Sequence, residues 1–138
     1  MFRNILVPVD LTEKNAAAVG VARDLALQSD GEVTLLHVIE TLDLPFEELE
    51  DFYLKLEEQA GRGMDELGRP LREAGVTLKQ HICYGRRASE IVAYAEEAET
   101  DVIILSSHRL DPENPERGWA TISHQVAILS QCPVLLVK

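Results

Sequence analysis

Short apolar runs alternate along the chain with longer segments in which apolar residues recur every three or four positions. The runs at residues 5–9, 33–39, 102–105 and 134–137 are continuous and rich in Val, Ile and Leu, which is typical of strands covered on both faces. Residues 76–84 alternate apolar and polar positions instead, which predicts a strand nearer the edge of a sheet. The pattern therefore predicts five strands.

The segments between these strands have helical periodicity. Four residues at i, i+3, i+4 and i+7 predict a first helix: Ala18, Val21, Ala22 and Leu25. Thr12 is its predicted N-cap, and the Asp-Gly pair at 30–31 its end. A long amphipathic helix follows the second strand, and Pro70 predicts a kink or restart late in it, because an interior proline costs about 3 kcal/mol. Further helices are predicted at 88–98 and 119–130.

Strands that alternate with helices over the whole length indicate βαβ units. Right-handed crossovers between parallel strands place helices on both faces of the sheet. We therefore predict a single-domain, doubly wound α/β fold over residues 1–138 with a five-stranded parallel sheet. Ligands of such sheets bind beyond the carboxyl ends of the strands, where the strand order reverses. The loops that follow the strands should hold any functional site.

Composition narrows the classes of function. The 138 residues include 24 acidic and 13 basic side chains, which gives a net charge of −11. A field of this sign repels nucleic acid backbones and anionic membranes, so neither is expected as a partner. No apolar run in the sequence approaches the ~20 residues that span a bilayer, and residues 1–4 lack the layout of a signal peptide. A cytoplasmic protein is therefore predicted.

The common phosphate and metal motifs are missing from the sequence. No GxGxxG follows the first strand and no GxxxxGK[ST] occurs, which argues against dinucleotide and P-loop sites. No CxxC or HExxH occurs either, so no metal site is predicted. A phospho-receiver domain needs a carboxylate cluster for Mg²⁺ at the ends of the first and third strands, but Asp10 stands alone and the third strand ends in Cys83-Tyr84.

Four motifs, in this order, resemble the universal stress protein family: Ile5-Leu6-Val7-Pro8-Val9-Asp10, Leu35-Leu36-His37-Val38, Gly85-Arg86-Arg87-Ala88-Ser89-Glu90-Ile91 and Cys132-Pro133-Val134-Leu135-Leu136-Val137. The resemblance covers essentially the whole chain. It implies a fold of the adenine-nucleotide α-hydrolase type and a homodimer paired through the last strand, Val134–Val137. In one branch of the family it also implies ATP binding between strands one and four.

That branch carries a glycine signature after strand four, Gly-x2-Gly-x9-Gly-[Ser/Thr], whose glycines let backbone amides approach phosphates. In this chain Ser106 and Arg109 stand at the first two glycine positions, and Ala120-Thr121 stand at the Gly-Ser pair. All three glycines are therefore replaced. The resemblance implies a candidate nucleotide crevice formed by Pro8, Val9, Asp10, Val38, Ser106, Arg109, Ala120, Thr121 and Ser123.

Two interpretations of charged residues stay open. Asp10 either holds an adenosine group, as the resemblance implies, or positions the predicted Thr12 cap. Four arginines follow strands three and four: Arg86, Arg87, Arg109 and Arg117. They either form a positive patch over the crevice that replaces part of the glycine cradle, or pair with acidic residues close in sequence, such as Glu90.

We predict a universal stress protein-like regulatory or stress-response protein that acts as a dimeric binding module for an unidentified protein partner. No enzymatic activity is predicted, and no cofactor is assigned with certainty. The short, apolar last strand also favours a dimer on physical grounds, because an exposed edge strand tends to pair with a second chain. The alternative is an ATP- or AMP-binding protein with slow nucleotide hydrolysis, for which Asp10 and His108 are the available residues. Loss of the glycines favours the first interpretation.

Overall fold

The computed structural model describes residues 1–41, 47, 49–107, 113 and 121–138. The candidate site residues Arg109 and Ala120 lie outside these ranges, as do His108, Arg117 and most of the predicted loop between strand four and the last helix.

Strands and helices alternate in the predicted order. The elements are β1 (Asn4–Pro8), α1 (Asn15–Ser29), β2 (Glu32–Glu40), α2 (Glu50–Leu67), α3 (Arg69–Glu73), β3 (Thr77–Gly85), α4 (Arg87–Glu97), β4 (Val102–Ser106), α5 (Ile122–Leu129) and β5 (Val134–Val137).

The five strands form one sheet in the order β3-β2-β1-β4-β5, and every neighbouring pair is parallel. The chain winds outward from β1 through β2 to β3, then returns to the other side of β1 and continues through β4 to β5. The strand order therefore reverses between β1 and β4, which confirms the doubly wound fold and places β3 at an edge, as the alternating pattern predicted.

Each face of the sheet has its own hydrophobic core. On one face Ile5 and Val7 of β1 pack with the buried residues of α1, α2 and α3, among them Met64. On the other face Leu6 packs with Ile91 of α4 and the rest of a second cluster that reaches α5. Side chains of a strand point to alternate faces, so β1 contributes to both cores, and the predicted helices on both faces are confirmed.

Helix α1 begins differently from the prediction. Thr12 is not its N-cap, because the helix starts at Asn15, and Lys14, which precedes it, makes no side-chain capping bond. At the other end Asp30, rather than Gly31, adopts the left-handed conformation, with φ of 53°. A Cβ at Gly31 would lie 2.8 Å from the carbonyl oxygen of Phe2, so the glycine is required by a close approach of the backbone just before β1.

The predicted restart at Pro70 is confirmed. Helix α2 ends at Leu67, and α3 carries Pro70 in its first turn, where a missing amide hydrogen costs no helical bond. The apolar faces of α2 and α5 are not fully covered, since Phe52 and Leu129 are 47% and 52% exposed. Among the described residues, no helix is long and apolar enough to cross a membrane.

Candidate functional site

A crevice of about 310 Å³ opens at the carboxyl ends of β1 and β4, at the point where the strand order reverses. All of the predicted site residues within the described part of the chain line it: Pro8, Val9, Asp10, Val38, Ser106, Thr121 and Ser123. The structure thus brings together residues that are more than 100 positions apart in sequence.

The walls of the crevice are mainly apolar. Pro8 ends β1 and Val9 follows it, Leu36 and Val38 come from β2, and Leu105 comes from β4. All five residues are buried, and the four other than Pro8 have at most 6% of their surface exposed. The strands therefore supply the apolar walls of the crevice, and the charged group Asp10 stands exposed at its rim.

The backbone at the rim turns sharply after β1. The carboxylate oxygen Oδ1 of Asp10 accepts hydrogen bonds from the amide of Thr12 at 3.0 Å and from its hydroxyl at 2.6 Å. Between them Leu11 has a φ of 66°, a left-handed conformation that is costly for a residue with a branched side chain. The Asp10 carboxylate is thus held in place by the turn that it closes.

Asn15 organises this turn from the first residue of α1. Its oxygen Oδ1 accepts from the amides of Asp10 at 3.1 Å and Leu11 at 2.8 Å. Its nitrogen Nδ2 donates to the hydroxyl of Ser106, at the end of β4, over 3.0 Å. Because the side chain is 1% exposed, these bonds form away from water. Asn15 therefore connects the two sides of the crevice.

Sequence reasoning missed Asn15, although a signal was present. It lies three positions before Ala18 and four before Val19, so it falls on the buried face of α1. A polar residue on an otherwise apolar helical face, just after a strand end, indicates a buried hydrogen-bonding role.

The Asp10 carboxyl is ionised at neutral pH. Partial burial tends to raise its pKa, but hydrogen bonds from Thr12 and the positive charge of Arg87 outweigh this effect, and the pKa of Asp10 lies below its ordinary value. The carboxylate is an acceptor without a proton to donate. Both interpretations of Asp10 concerned such an acceptor; the structure shows it bonded to Thr12, which is not the helix cap.

Arg87, in the first turn of α4, also lines the crevice. Its Nε lies 3.7 Å from Oε1 of Glu40, at the end of β2. Arg86 is exposed and is not part of the crevice wall. The two neighbouring arginines therefore differ in place, and the ion pair of Arg87 is with Glu40 rather than with Glu90.

The first turn of α5 forms the remaining wall. Thr121 is its N-cap and accepts a hydrogen bond from the amide of His124 at 3.3 Å. The hydroxyls of Thr121 and Ser123 are 3.3 Å apart. A helix N-terminus carries a partial positive charge, and three such ends, those of α1, α4 and α5, border the crevice.

Comparison with known proteins shows to which family the chain is related. The model of the universal stress protein family matches residues 1–138. The chain belongs to the universal stress protein family. A universal stress protein of Bacillus subtilis is 26% identical over 149 residues, which covers 100% of both chains. One from Methanocaldococcus jannaschii is 28% identical over 156 residues, covering 100% of this chain and 96% of the relative.

Solved structures of universal stress proteins share the fold. The structure of that Methanocaldococcus jannaschii protein matches with a TM-score of 0.84 and 31% identity over 100% of this chain and 96% of the other. A universal stress protein in complex with cAMP has a TM-score of 0.78 at 16% identity, over 99% and 96% of the two chains. One from Archaeoglobus fulgidus in complex with dAMP has a TM-score of 0.74 at 18% identity, over 100% of both chains.

The described residues of the crevice of this universal stress protein offer hydrogen-bonding and charged groups. Within the described ranges no group of three or more His, Cys, Asp or Glu side chains could hold a metal ion. His37 instead supports the backbone of the site, since its Nδ1 lies 2.8 Å from the carbonyl oxygen of Val9. A carbonyl only accepts, so Nδ1 carries the proton. The arrangement can hold a flat, partly apolar ligand with polar edges.

Proposed function

We propose that this universal stress protein is a regulatory protein that binds an adenine nucleoside or nucleotide in the crevice between β1 and β4. The observation that carries the proposal is the slot itself, which has apolar walls and a polar rim and has a volume of about 310 Å³. Pockets that bind small molecules are typically lined in this way and enclose roughly 300 Å³ or more.

The walls suit a heteroaromatic base. Val9, Val38 and Leu105 line the crevice, so a planar ring that lies against its apolar lining replaces water there, which stabilises the complex by roughly 25 cal/mol per Å² of apolar surface covered. The carboxylate of Asp10 is a fixed acceptor at the rim for ribose hydroxyls or an exocyclic amino group. Two proteins that share the fold were solved with cAMP and dAMP, which supports an adenine nucleotide as the ligand class.

We infer binding without turnover. Hydrolysis of a nucleotide needs a metal ion to offset the developing charge and a group that activates water. Among the described residues of the crevice wall, Asp10 is the one carboxylate, and its Oδ1 accepts both Thr12 hydrogen bonds.

We also propose that two copies pair through β5. This strand is at the edge of the sheet, and its residues Leu135 and Leu136 are 41% and 37% exposed. On the neighbouring helix α5, Ile128 and Leu129 are 67% and 52% exposed. A second copy would cover these side chains and satisfy the free backbone groups of the edge strand.

Isothermal titration of the purified protein with adenosine, AMP and ATP, and with guanosine as the control, tests the ligand. We expect saturable binding of the adenine compounds and at least about tenfold weaker binding of guanosine, since one well-placed set of base hydrogen bonds is worth about 1.4 kcal/mol or more. Native mass spectrometry of freshly prepared protein should detect a co-purified nucleotide. Absence of saturation up to about 1 mM ligand, which corresponds to a binding free energy weaker than roughly −4 kcal/mol, would refute the proposal.

A further inference from the structure

One cation stands among the described residues that line the crevice, and it is Arg87. It lies in the first turn of α4, on the side of the crevice nearest β2. The resemblance to the nucleotide-binding branch places the phosphate contacts after β4, where Ser106 stands instead of the first glycine. Arg87 lies outside that segment, so its presence in the wall is a separate feature of this chain.

The guanidinium of Arg87 is held loosely. Its Nε is 3.7 Å from Oε1 of Glu40, which is longer than a hydrogen bond. The two side chains are 41% and 54% exposed, and ion pairs with such access to water contribute little to stability. A ligand with a stronger anionic group can therefore take Arg87 from Glu40 at small cost.

Because of the charges around the crevice, binding of an anionic ligand depends on Arg87. Asp10 is ionised and Glu40 stands beside Arg87, in a protein of net charge −11. An anionic ligand is repelled by both carboxylates unless a cation offsets them. A guanidinium does so with two parallel hydrogen bonds to a phosphate, and the N-termini of α4 and α5 add a smaller attraction.

We propose that Arg87 makes the crevice select 5′-phosphorylated adenine nucleosides over the uncharged nucleoside, and that Glu40 competes with the ligand phosphate for it. This inference rests on the proposed function, which concerns the adenosine part of the ligand. Arg87 sets the preference for the phosphate, and the apolar slot sets the preference for the base.

The test compares the affinities for adenosine and AMP in the unmodified protein and in three variants. Arg87→Gln should weaken AMP binding by about tenfold or more, as the loss of a charge-assisted hydrogen bond does, and change adenosine binding less than about twofold. Arg86→Gln is the matched control, since it removes the same charge from an exposed neighbour and should leave the ratio of the two affinities unchanged. Glu40→Gln should tighten AMP binding a few-fold and leave adenosine binding alone.

Equal effects of Arg87→Gln and Arg86→Gln on the ratio would mean that AMP responds to the net charge of the protein and not to a contact with Arg87. This result would overturn the proposed role of Arg87. So would an unchanged ratio in Arg87→Gln. If the unmodified protein binds neither adenosine nor AMP, the proposed function fails, and pyrophosphate serves as a probe without a base. Thermal stabilisation by pyrophosphate that is lost in Arg87→Gln but kept in Arg86→Gln then supports the anion site, and its absence in the unmodified protein refutes it.

Discussion

At the scale of single residues, the crevice depends on a buried amide. Asn15 accepts from two backbone amides of the turn after β1 and donates to Ser106, and the same turn contains Leu11 in a left-handed conformation. Strained backbone of this kind persists where its surroundings hold it, and it is common at functional sites. The position of the Asp10 carboxylate therefore depends on a buried neighbour, Asn15, which also lines the crevice.

Replacing Asn15 should lower the stability of the protein. Asn15→Ala leaves two backbone amides without their acceptor, and we expect the free energy of unfolding to fall by about 2 kcal/mol in urea denaturation. Asn15→Asp keeps the acceptor for both amides, and the Ser106 hydroxyl can turn from the carbonyl oxygen of Lys14, 3.3 Å away, to donate to the second carboxylate oxygen, so the loss should be smaller. Equal losses in the two variants would contradict this assignment of the hydrogen bonds.

Removing the charge of Asp10 separates its two interpretations. Asp10→Asn keeps the oxygen that accepts from Thr12, so the midpoint of thermal unfolding should change little. If the carboxylate holds a ribose or adenine group, adenosine affinity in calorimetry should fall about tenfold. Asp24→Asn, on the exposed surface of α1, removes the same charge elsewhere and should change nothing. An unaltered affinity in Asp10→Asn would leave the carboxylate a purely structural role.

At the scale of elements, two glycines, one within α1 and one just after it, have different structural roles. Gly20, within the helix, has no heavy atom within 4 Å of the position of an added Cβ. At Gly31 that Cβ would lie 2.8 Å from the carbonyl oxygen of Phe2 and 3.0 Å from that of Arg3. Gly31 lets the chain after α1 pass close to the residues just before β1, whereas Gly20 only lowers the stability of the helix.

Alanine substitutions at these two glycines should have opposite signs. Gly31→Ala has to displace backbone, and we expect a loss of about 2 kcal/mol in the free energy of unfolding. Gly20→Ala reduces the freedom of the unfolded chain and should stabilise the protein by about 0.5 to 1 kcal/mol. Chemical denaturation of the two variants checks this, and a neutral Gly31→Ala would show that the approach of β1 can relax.

The free edge at β5 makes a second prediction at this scale. A charge at Leu136 should abolish pairing through this strand, because a buried unpaired carboxylate is costly, so Leu136→Glu should give monomers or aggregates in light scattering. Leu27→Glu is the control, since Leu27 is an exposed leucine of α1 far from this edge. A dimer mass retained in Leu136→Glu would rule out the interface.

At the scale of the whole molecule, charge opposes self-association. Each chain carries −11, so two chains repel one another over a distance that salt shortens, from about 30 Å at 0.01 M to about 8 Å at 0.15 M. If apolar side chains of β5 and α5 form the interface, the dissociation constant of the dimer should fall as NaCl rises. Sedimentation at increasing NaCl checks the sign, and a dimer that weakens with salt would indicate an ionic interface instead.

The architecture was predictable from sequence because each βαβ unit shows in the local pattern of apolar residues. The placing of Pro8, Val38 and Ser106 in one crevice followed from the rule that ligands bind where strand order reverses, together with the resemblance to a family. The start of α1 was not predictable in the same way. Thr12 satisfies the local preference for a cap, but the long-range bond of Asn15 to Ser106 competes with it, and local patterns contain no such contact.

The seam between β1 and β4 has a consequence for motion. Register there runs through Ile5↔Val102 and Leu6↔Ile103, whereas β1 pairs with β2 from Asn4↔Glu32 to Pro8↔Leu36. Opening of the sheet should therefore be easiest along this seam. A ligand that contacts both strand ends would act as a clamp across the two halves of the sheet. Its binding should slow amide hydrogen exchange in β4 and β5, and not only in the residues that it touches.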